Sequence, residues 1–220
     1  TAANVPRSWK AADGTGDVHP VGTIVNQLPT SFTSDGTRAV FQQAGTATND
    51  IGMLSLAEDR SMTWLVDGDF NERDGMVSPD DRWLAYVAQA SASDSEVFVR
   101  PFPDVEGGIW EVSTGGGRWP VWSRVANELF YATDEGVMAA TYQTDPTFGI
   151  RERRLLFRWP FEDPLQTNTT GVGRQMSVTP DGQRFLFLSV GQDQQTGSAD
   201  RQLVVIHYWF DELERLVPTP

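Results

Sequence analysis

The chain has 220 residues and no cysteine, with 30 Asp and Glu against 17 Lys and Arg, for a formal net charge of −13. That balance argues against nucleic acid as a partner, since binding phosphates requires a basic surface, and the missing cysteines exclude disulfides, a thiolate nucleophile and a cysteine zinc site. No apolar run approaches the roughly 18 residues of a membrane-spanning helix, and two histidines are too few for a histidine-rich metal centre.

From the N-terminus, Arg7–Ala12 and Val18–Val25 read as two strands joined by the Gly-rich turn Asp13-Gly14-Thr15-Gly16. No signal peptide is legible, and the chain opens mid-pattern at Thr1, which predicts a natural protein that begins earlier. Strands are then expected at Ser31–Thr33, Arg38–Gln42, Ile51–Ser55 and Met62–Leu65. Glu96–Phe102 alternates and is closed by Pro101 and Pro103, because proline donates no ladder hydrogen bond. Gly107-Gly108 turns the chain into Ile109–Ser113. Gly115-Gly116-Gly117 permits a second reversal, and Pro120 leads into Val121–Ser123. Gly136–Tyr142 and Leu155–Trp159 follow as strands, then a long loop over 160–173. A polar loop over 191–200 precedes the strand Gln202–Trp209. Asp211 can N-cap a short helix to Leu216, with Glu212 and Glu214 near its positive end, stopped by Val217-Pro218.

One pattern recurs: an apolar residue, Ser or Thr, a Pro-Asp-Gly-like turn, then an apolar run. Phe32-Thr33-Ser34-Asp35-Gly36 leads to Ala39-Val40-Phe41, and Val77-Ser78-Pro79-Asp80-Asp81 leads to Leu84-Ala85-Tyr86. Trp122-Ser123-Arg124-Val125-Ala126 leads to Leu129-Phe130-Tyr131, and Val178-Thr179-Pro180-Asp181-Gly182 leads to Phe185-Leu186-Phe187. The spacings are 45, 45 and 56 residues (32 to 77, 77 to 122, 122 to 178). A period of forty to fifty with four short strands per unit marks a β-propeller. The expected fold is therefore all-β, in about four blades at 31–74, 75–120, 121–174 and 175–217, with 1–30 supplying the end strands of another blade. Asp35, Asp80 and Asp181 are assigned to the turns, where aspartate bonds its own backbone. The N-terminal strands are placed to complete the fourth repeat as a clasp. Uncovered apolar blade faces otherwise predict pairing with a second copy as a homodimer.

The segments Glu96–Ser123 (EVFVRPFPDVEGGIWEVSTGGGRWPVWS), Asp50–Leu56 (DIGMLSL), Phe70–Tyr86 (FNERDGMVSPDDRWLAY), Trp9–Val18 and His207–Thr219 resemble a bacterial family. It is the TolB-like, WD-repeat-like propeller found C-terminal to membrane-anchored serine/threonine kinases. The resemblance implies a propeller fold and an extracytoplasmic or periplasmic location. The kinase half is absent from this sequence: no Gly-rich loop precedes a Val-Ala-x-Lys strand, and there is no His-Arg-Asp loop. The repeats are also fewer than the family's usual number.

A serine triad has no G-x-S-x-G elbow to stand on, and His207 and His19 sit in strand positions suited to structural roles. In a propeller, the loops entering the innermost strands share one face with those joining the second and third strands. Here these are 67–74, 115–120, 169–175, 49–50 and 94–96. They are expected to bring Asp50, Asp69, Glu72, Asp74, Asp94 and Glu96 to one rim, beside Arg73, Arg118, Trp119 and Arg174. Such a rim is either a set of solvated Arg–carboxylate pairs or an oxygen cage for calcium. In the second case a metal-bound water would hydrolyse phosphoesters or carboxylic esters. Trp83, Trp110 and Phe130 are assigned to packing between blades. Trp119, after three glycines, is expected at the mouth as a ligand contact, as are Phe70 and Phe161 in their loops. The function these residues support is a binding or sensing module that presents this rim to a protein or small-molecule ligand, without catalysis of its own. The alternative is a calcium-assisted hydrolase.

Overall fold

The computed structural model describes residues 8–10, 13–20, 27–44, 48–57, 59–91, 94–159, 176–190 and 201–206. β1 (Ser8–Trp9) and β2 (His19–Pro20) pair with each other. The first four-stranded sheet contains β3 (Gln27–Phe32), β4 (Arg38–Ala44), β5 (Asn49–Ser55) and β6 (Met62–Val66). The second contains β7 (Asn71–Val77), β8 (Trp83–Ser91), β9 (Asp94–Pro101) and β10 (Trp110–Glu111), with a 3₁₀ turn at Val105–Gly107. The third contains β11 (Arg118–Trp122), β12 (Glu128–Ala132), β13 (Gly136–Gln143) and β14 (Gly149–Arg158). The fourth, three-stranded among the described residues, contains β15 (Met176–Val178), β16 (Phe185–Val190) and β17 (Arg201–Ile206). Every pairing is antiparallel, and each of these sheets is a simple meander in chain order. The β1–β2 pair stands as its own sheet and adds no strand to the fourth, so the expected clasp is not formed by hydrogen bonding among the described residues. The expected C-terminal helix at 211–216 and the loops at 160–173 and 191–200 lie outside those residues.

The repeat is physical as well as verbal. In each unit the Ser or Thr after the innermost strand donates its N–H to the carbonyl five residues on: Thr33 to Arg38 (3.1 Å), Ser78 to Trp83 (2.8 Å), Ser123 to Glu128 (2.9 Å) and Thr179 to Arg184 (2.9 Å). In three of the four units an aspartate ties off the turn. Asp35 Oδ1 accepts from the Thr33 hydroxyl (2.6 Å) and the Thr37 N–H (2.9 Å). Asp80 accepts from the Ser78 hydroxyl (2.5 Å), and Asp181 from the Thr179 hydroxyl and the Gln183 N–H (3.0 Å). These bonds to the ionised form hold the Asp35 carboxyl down at about 2. The third unit lacks the aspartate, and there the Ser123 hydroxyl accepts from Val125 and Ala126 N–H groups instead (3.3 and 3.2 Å).

The innermost strands start earlier than the sequence pattern indicates, at Gln27, Asn71 and Arg118. Each contains a register shift just before its apolar end: between Pro29 and Ser31, between Arg73 and Met76, and between Arg118 and Val121. Proline, Asp-Gly and Trp-Pro at these places look like strand ends, yet they are bulges that bend a continuing strand. The bulge residues Asp74 and Trp119 both take positive φ, 58° and 53°. The outer strand β10 is shorter than expected for a related reason. Val112 and Ser113 both direct their N–H groups to the Val97 carbonyl (2.8 and 3.4 Å), which ends regular pairing.

The second and third sheets are covered on both faces by their neighbours. Between the first and second lie Val40, Ile51, Leu65, Val77, Leu84 and Tyr86. Between the second and third lie Trp83, Val97, Val99, Trp122, Tyr142 and Phe148, with Trp83 and Phe148 ring centroids 4.9 Å apart. Between the third and fourth lie Trp119, Phe130, Phe157, Met176 and Phe185, with Phe130 and Phe185 at 5.1 Å. Trp83 and Phe130 are buried as expected, and Trp110 packs against the second of these cores. Trp119 is the correction. It is 5% exposed inside the third core, because the bulge turns it away from the mouth and between the sheets. Trp119→Ala is therefore expected to destabilise the fold by about 3–5 kcal/mol, the range for deleting a buried Trp or Phe. Urea denaturation of the variant beside the parent chain measures it.

Candidate functional site

Strand alternation in the second sheet places one set of side chains toward the first sheet. Cross-strand register aligns them in rows: Glu72, Ala88 and Glu96; then Tyr86, Phe98 and Glu111; then Leu84 and Arg100. Opposite these rows stand Leu65 and Val66 at the end of β6 and the connector Asp67–Phe70 that leads into β7. The space between them is a groove of about 560 Å³, closed at its far side by Glu106 of the 3₁₀ turn and by Ile109. Tyr86 and Phe98 form its floor, rings tilted by 32° with centroids 5.9 Å apart. Phe70 and Ile109, each about half exposed, stand at its edges.

Glu72 is the chemically distinctive group. It is 2% exposed, and its Oε2 has no hydrogen-bond partner. Its Oε1 packs under the connector, where a Cβ added to Gly68 would approach to 2.8 Å. Burial, with further repulsion from Asp50 and Asp67, raises its pKa to about 7, against partial offsets from its own backbone N–H and from Arg100. Asp50 is raised for the same reasons, burial first and then the charge of Asp67. Arg100 donates from Nε to the Tyr86 hydroxyl (3.1 Å) and from Nη1 to the Val105 carbonyl (3.4 Å).

The residues expected at one rim divide into separate sets. Phe70, Asp69 and Glu72 line the groove, and Asp50 is close enough to act on Glu72 electrostatically. Glu96 reaches the groove but is already engaged. Its Oε1 accepts from the Gly116 N–H (2.8 Å) and its Oε2 from the Ser113 hydroxyl, so it braces the glycine loop, where Gly115 and Gly116 hold φ of 82° and 109°. Asp74 is 4% exposed on the bulge of β7, with Arg73 Nε 4.0 Å from its Oδ2. Arg73 has its pKa lowered by burial, which Asp74 opposes and Arg118 adds to, so these three share the innermost strands rather than the groove. Asp94 opens β9, and its side chain lies outside the described residues, as do Arg174 and Phe161. Among the described residues no three acidic or histidine side chains are close enough to hold one metal ion. The calcium cage is not assembled there, because the bulge carries Asp74 elsewhere and Glu96 is committed to the loop.

Tyr86, Phe98, Arg100, Glu106, Ile109 and Glu111 went unrecognised in the sequence. The alternation of β8 and β9 was the available signal, since it groups 86 with 88 and 96 with 98 and 100. Which neighbouring sheet leaves that face open is a tertiary matter.

No protein-family model matches the chain, and comparison with curated proteins finds no match. Solved structures do match. TolB from Acinetobacter baumannii superposes with a TM-score of 0.59 at 13% identity, over 90% of this chain and 44% of that one. Oligogalacturonate lyase in complex with manganese gives 0.57 at 12% identity, over 89% and 55%. The fold is a TolB-like β-propeller. This propeller chain spans about half the length of either neighbour. At such identity the likeness concerns architecture, and the groove is a property of these residues. Among the described residues no helix is long and apolar enough to cross a membrane.

A carboxyl whose folded value lies above its ordinary 4.5 favours the folded state while protonated. That contribution is complete below about pH 4.5 and is lost as pH rises through about 7. Glu72→Gln is expected to match the parent near pH 4 and to exceed its stability at pH 8 by on the order of 3 kcal/mol. Urea midpoints across that range measure the difference, and parallel curves for the two proteins would contradict the assignment.

Proposed function

We propose that this propeller is a binding module and that the groove between its first and second sheets seats the ligand, a protein segment or a small molecule. The observation that carries the reading is the combination of shape and lining. A cleft of this volume falls in the range of ligand sites. It has an aromatic floor, two half-exposed apolar side chains at its edges and polar groups converging from the connector, β7, β9 and the 3₁₀ turn. Phe70 and Ile109 stand half exposed at the edges of the cleft, beside its aromatic floor, where a seated ligand covers their apolar surface. Calcium-assisted ester hydrolysis draws no support from this geometry, because among the described residues no three acidic or histidine side chains come close enough to hold one ion.

Peptides selected from a random library against the whole chain test the proposal. They are expected to bind Phe70→Ser and Ile109→Ser at least tenfold more weakly, while each substitution changes stability by less than about 1 kcal/mol, as usual for surface positions. Val125→Ser is the control, since Val125 is 64% exposed and lines no part of this groove. Ligands that ignore the groove substitutions would place the binding surface elsewhere.

A further inference from the structure

The groove is far more acidic than its own structure requires. Asp67, Asp69, Glu72, Glu96, Glu106 and Glu111 line it against the single cation Arg100. Two of Arg100's five N–H donors go to neutral oxygens, the Tyr86 hydroxyl and the Val105 carbonyl. Glu96 is satisfied by Ser113 and Gly116. Glu72 is satisfied only in part: it is 2% exposed, its own N–H acts on the carboxyl, and Oε2 has no partner, an uncommon condition for a buried carboxylate oxygen. The opening is flanked by Phe70 and Ile109, and the floor is the tilted Tyr86–Phe98 pair.

We propose that this groove seats the guanidinium of an arginine side chain, presented by a partner polypeptide with an apolar residue beside it. The inference rests on the groove being the ligand seat. Charge complementarity names a cation, and the spread of the acids names which kind. Carboxylates supplied by the connector, β7, the 3₁₀ turn and β10 do not gather as a metal cage. A calcium ion needs six to eight oxygens within about 2.6 Å of one point. A guanidinium instead carries five N–H donors on a rigid planar fork, which reaches separated oxygens. It is weakly hydrated and stacks on aromatic faces, which the floor supplies. The apolar neighbour of that arginine covers Phe70 and Ile109. The connector lies over Glu72, so the guanidinium meets Asp67 and Asp69 at the rim and the charge of Glu72 from beneath.

A cation in this position favours the ionised form of Glu72, so binding releases a proton near neutral pH and affinity rises with pH. The groups that face Glu72 are Asp50 from β5, Asp67 from the connector, and Arg100 and Tyr86 from β9 and β8. Burial first, then Asp50 and Asp67, keep its ionisation unfavourable until a cation arrives, while its own backbone N–H and Arg100 offset part of that effect.

Titration calorimetry on the whole chain tests this with acetyl-Phe-Arg-amide, its citrulline isostere, acetyl-Phe-Leu-amide and agmatine. The arginyl peptide is expected to bind at least tenfold more tightly than the citrulline peptide, and severalfold more tightly at pH 8 than at pH 6. Glu72→Gln is expected to remove the pH dependence. Asp69→Asn, at an exposed position that carries no core, is expected to weaken the arginyl peptide severalfold and leave the leucyl peptide unchanged. Citrulline or leucyl peptides that bind as well as arginyl, and lose affinity with Phe70→Ser, would overturn the guanidinium assignment and leave the groove as a ligand seat. Agmatine binding as tightly as the peptide would overturn the polypeptide source. If no probe binds in a manner sensitive to Phe70→Ser, the guanidinium proposal and the groove reading fall together.

Discussion

The second and third sheets of this protein are apolar on both faces, so neither can be stable without a neighbour on each side. That constraint organises the rest. Leu84 and Tyr86 point one way from β8 while Trp83, Ala85 and Val87 point the other, and both sets are buried. A strand with alternating side chains ordinarily has a wet face, whereas here both periods of the alternation are occupied by core residues. The three intersheet cores are therefore the load of the fold, and they are filled with large aromatics because the sheets twist apart and leave wedge-shaped space. Trp122 shows how closely this is tied together, since its ring packs in one core while its Nε1 donates to the Met76 carbonyl of the preceding innermost strand at 2.9 Å.

The groove arises where that coverage runs out. β8 and β9 have nine and eight residues, and the facing outer strand β6 has five. The longer strands carry their first-sheet-facing side chains past the end of β6, and the connector 67–70 only partly replaces it. What remains is a floor built to core standards, roofed on one side by a short loop. Such a place holds ionisable groups in low dielectric without filling the space above them, which is why Glu72 is buried and raised in pKa while Phe70 nearby is open to water.

The acidity of the chain is spent unevenly. Asp35, Asp80 and Asp181 close the repeat turns, Asp59 bridges the hydroxyls of Ser55 and Ser61, and Asp81 accepts from the Ser34 N–H (2.9 Å) of the neighbouring sheet. Glu128 pairs with Arg154 at 2.9 Å across the third sheet. These carboxylates have local structural partners. Around the groove, Asp67, Asp69, Glu106 and Glu111 take no side-chain hydrogen bond or ion pair among the described residues, and this local charge, more than the net value for the whole chain, supports the proposal of a cationic partner.

The repeat was legible in the sequence because its signal is local. A Ser or Thr, an aspartate and a glycine within five residues specify a turn through bonds those residues make with each other, and four copies flanked by apolar runs need no further context. Interior places for Trp83 and Phe130 were legible on the same footing, as aromatics within strands. Trp119, Asp74 and Glu96 were misplaced because each depends on an event the local pattern hides. A bulge redirects the first two, and the fit of a glycine loop against β9 occupies the third. The groove itself was not legible at all. Its walls come from two sheets, and its existence depends on the unequal lengths of β6 and β8. The sequence alone therefore determined the architecture, since turn chemistry and alternation act within a few residues. The tertiary structure alone decided which side chains meet across two sheets and that Glu72 is buried with one carboxyl oxygen unpartnered.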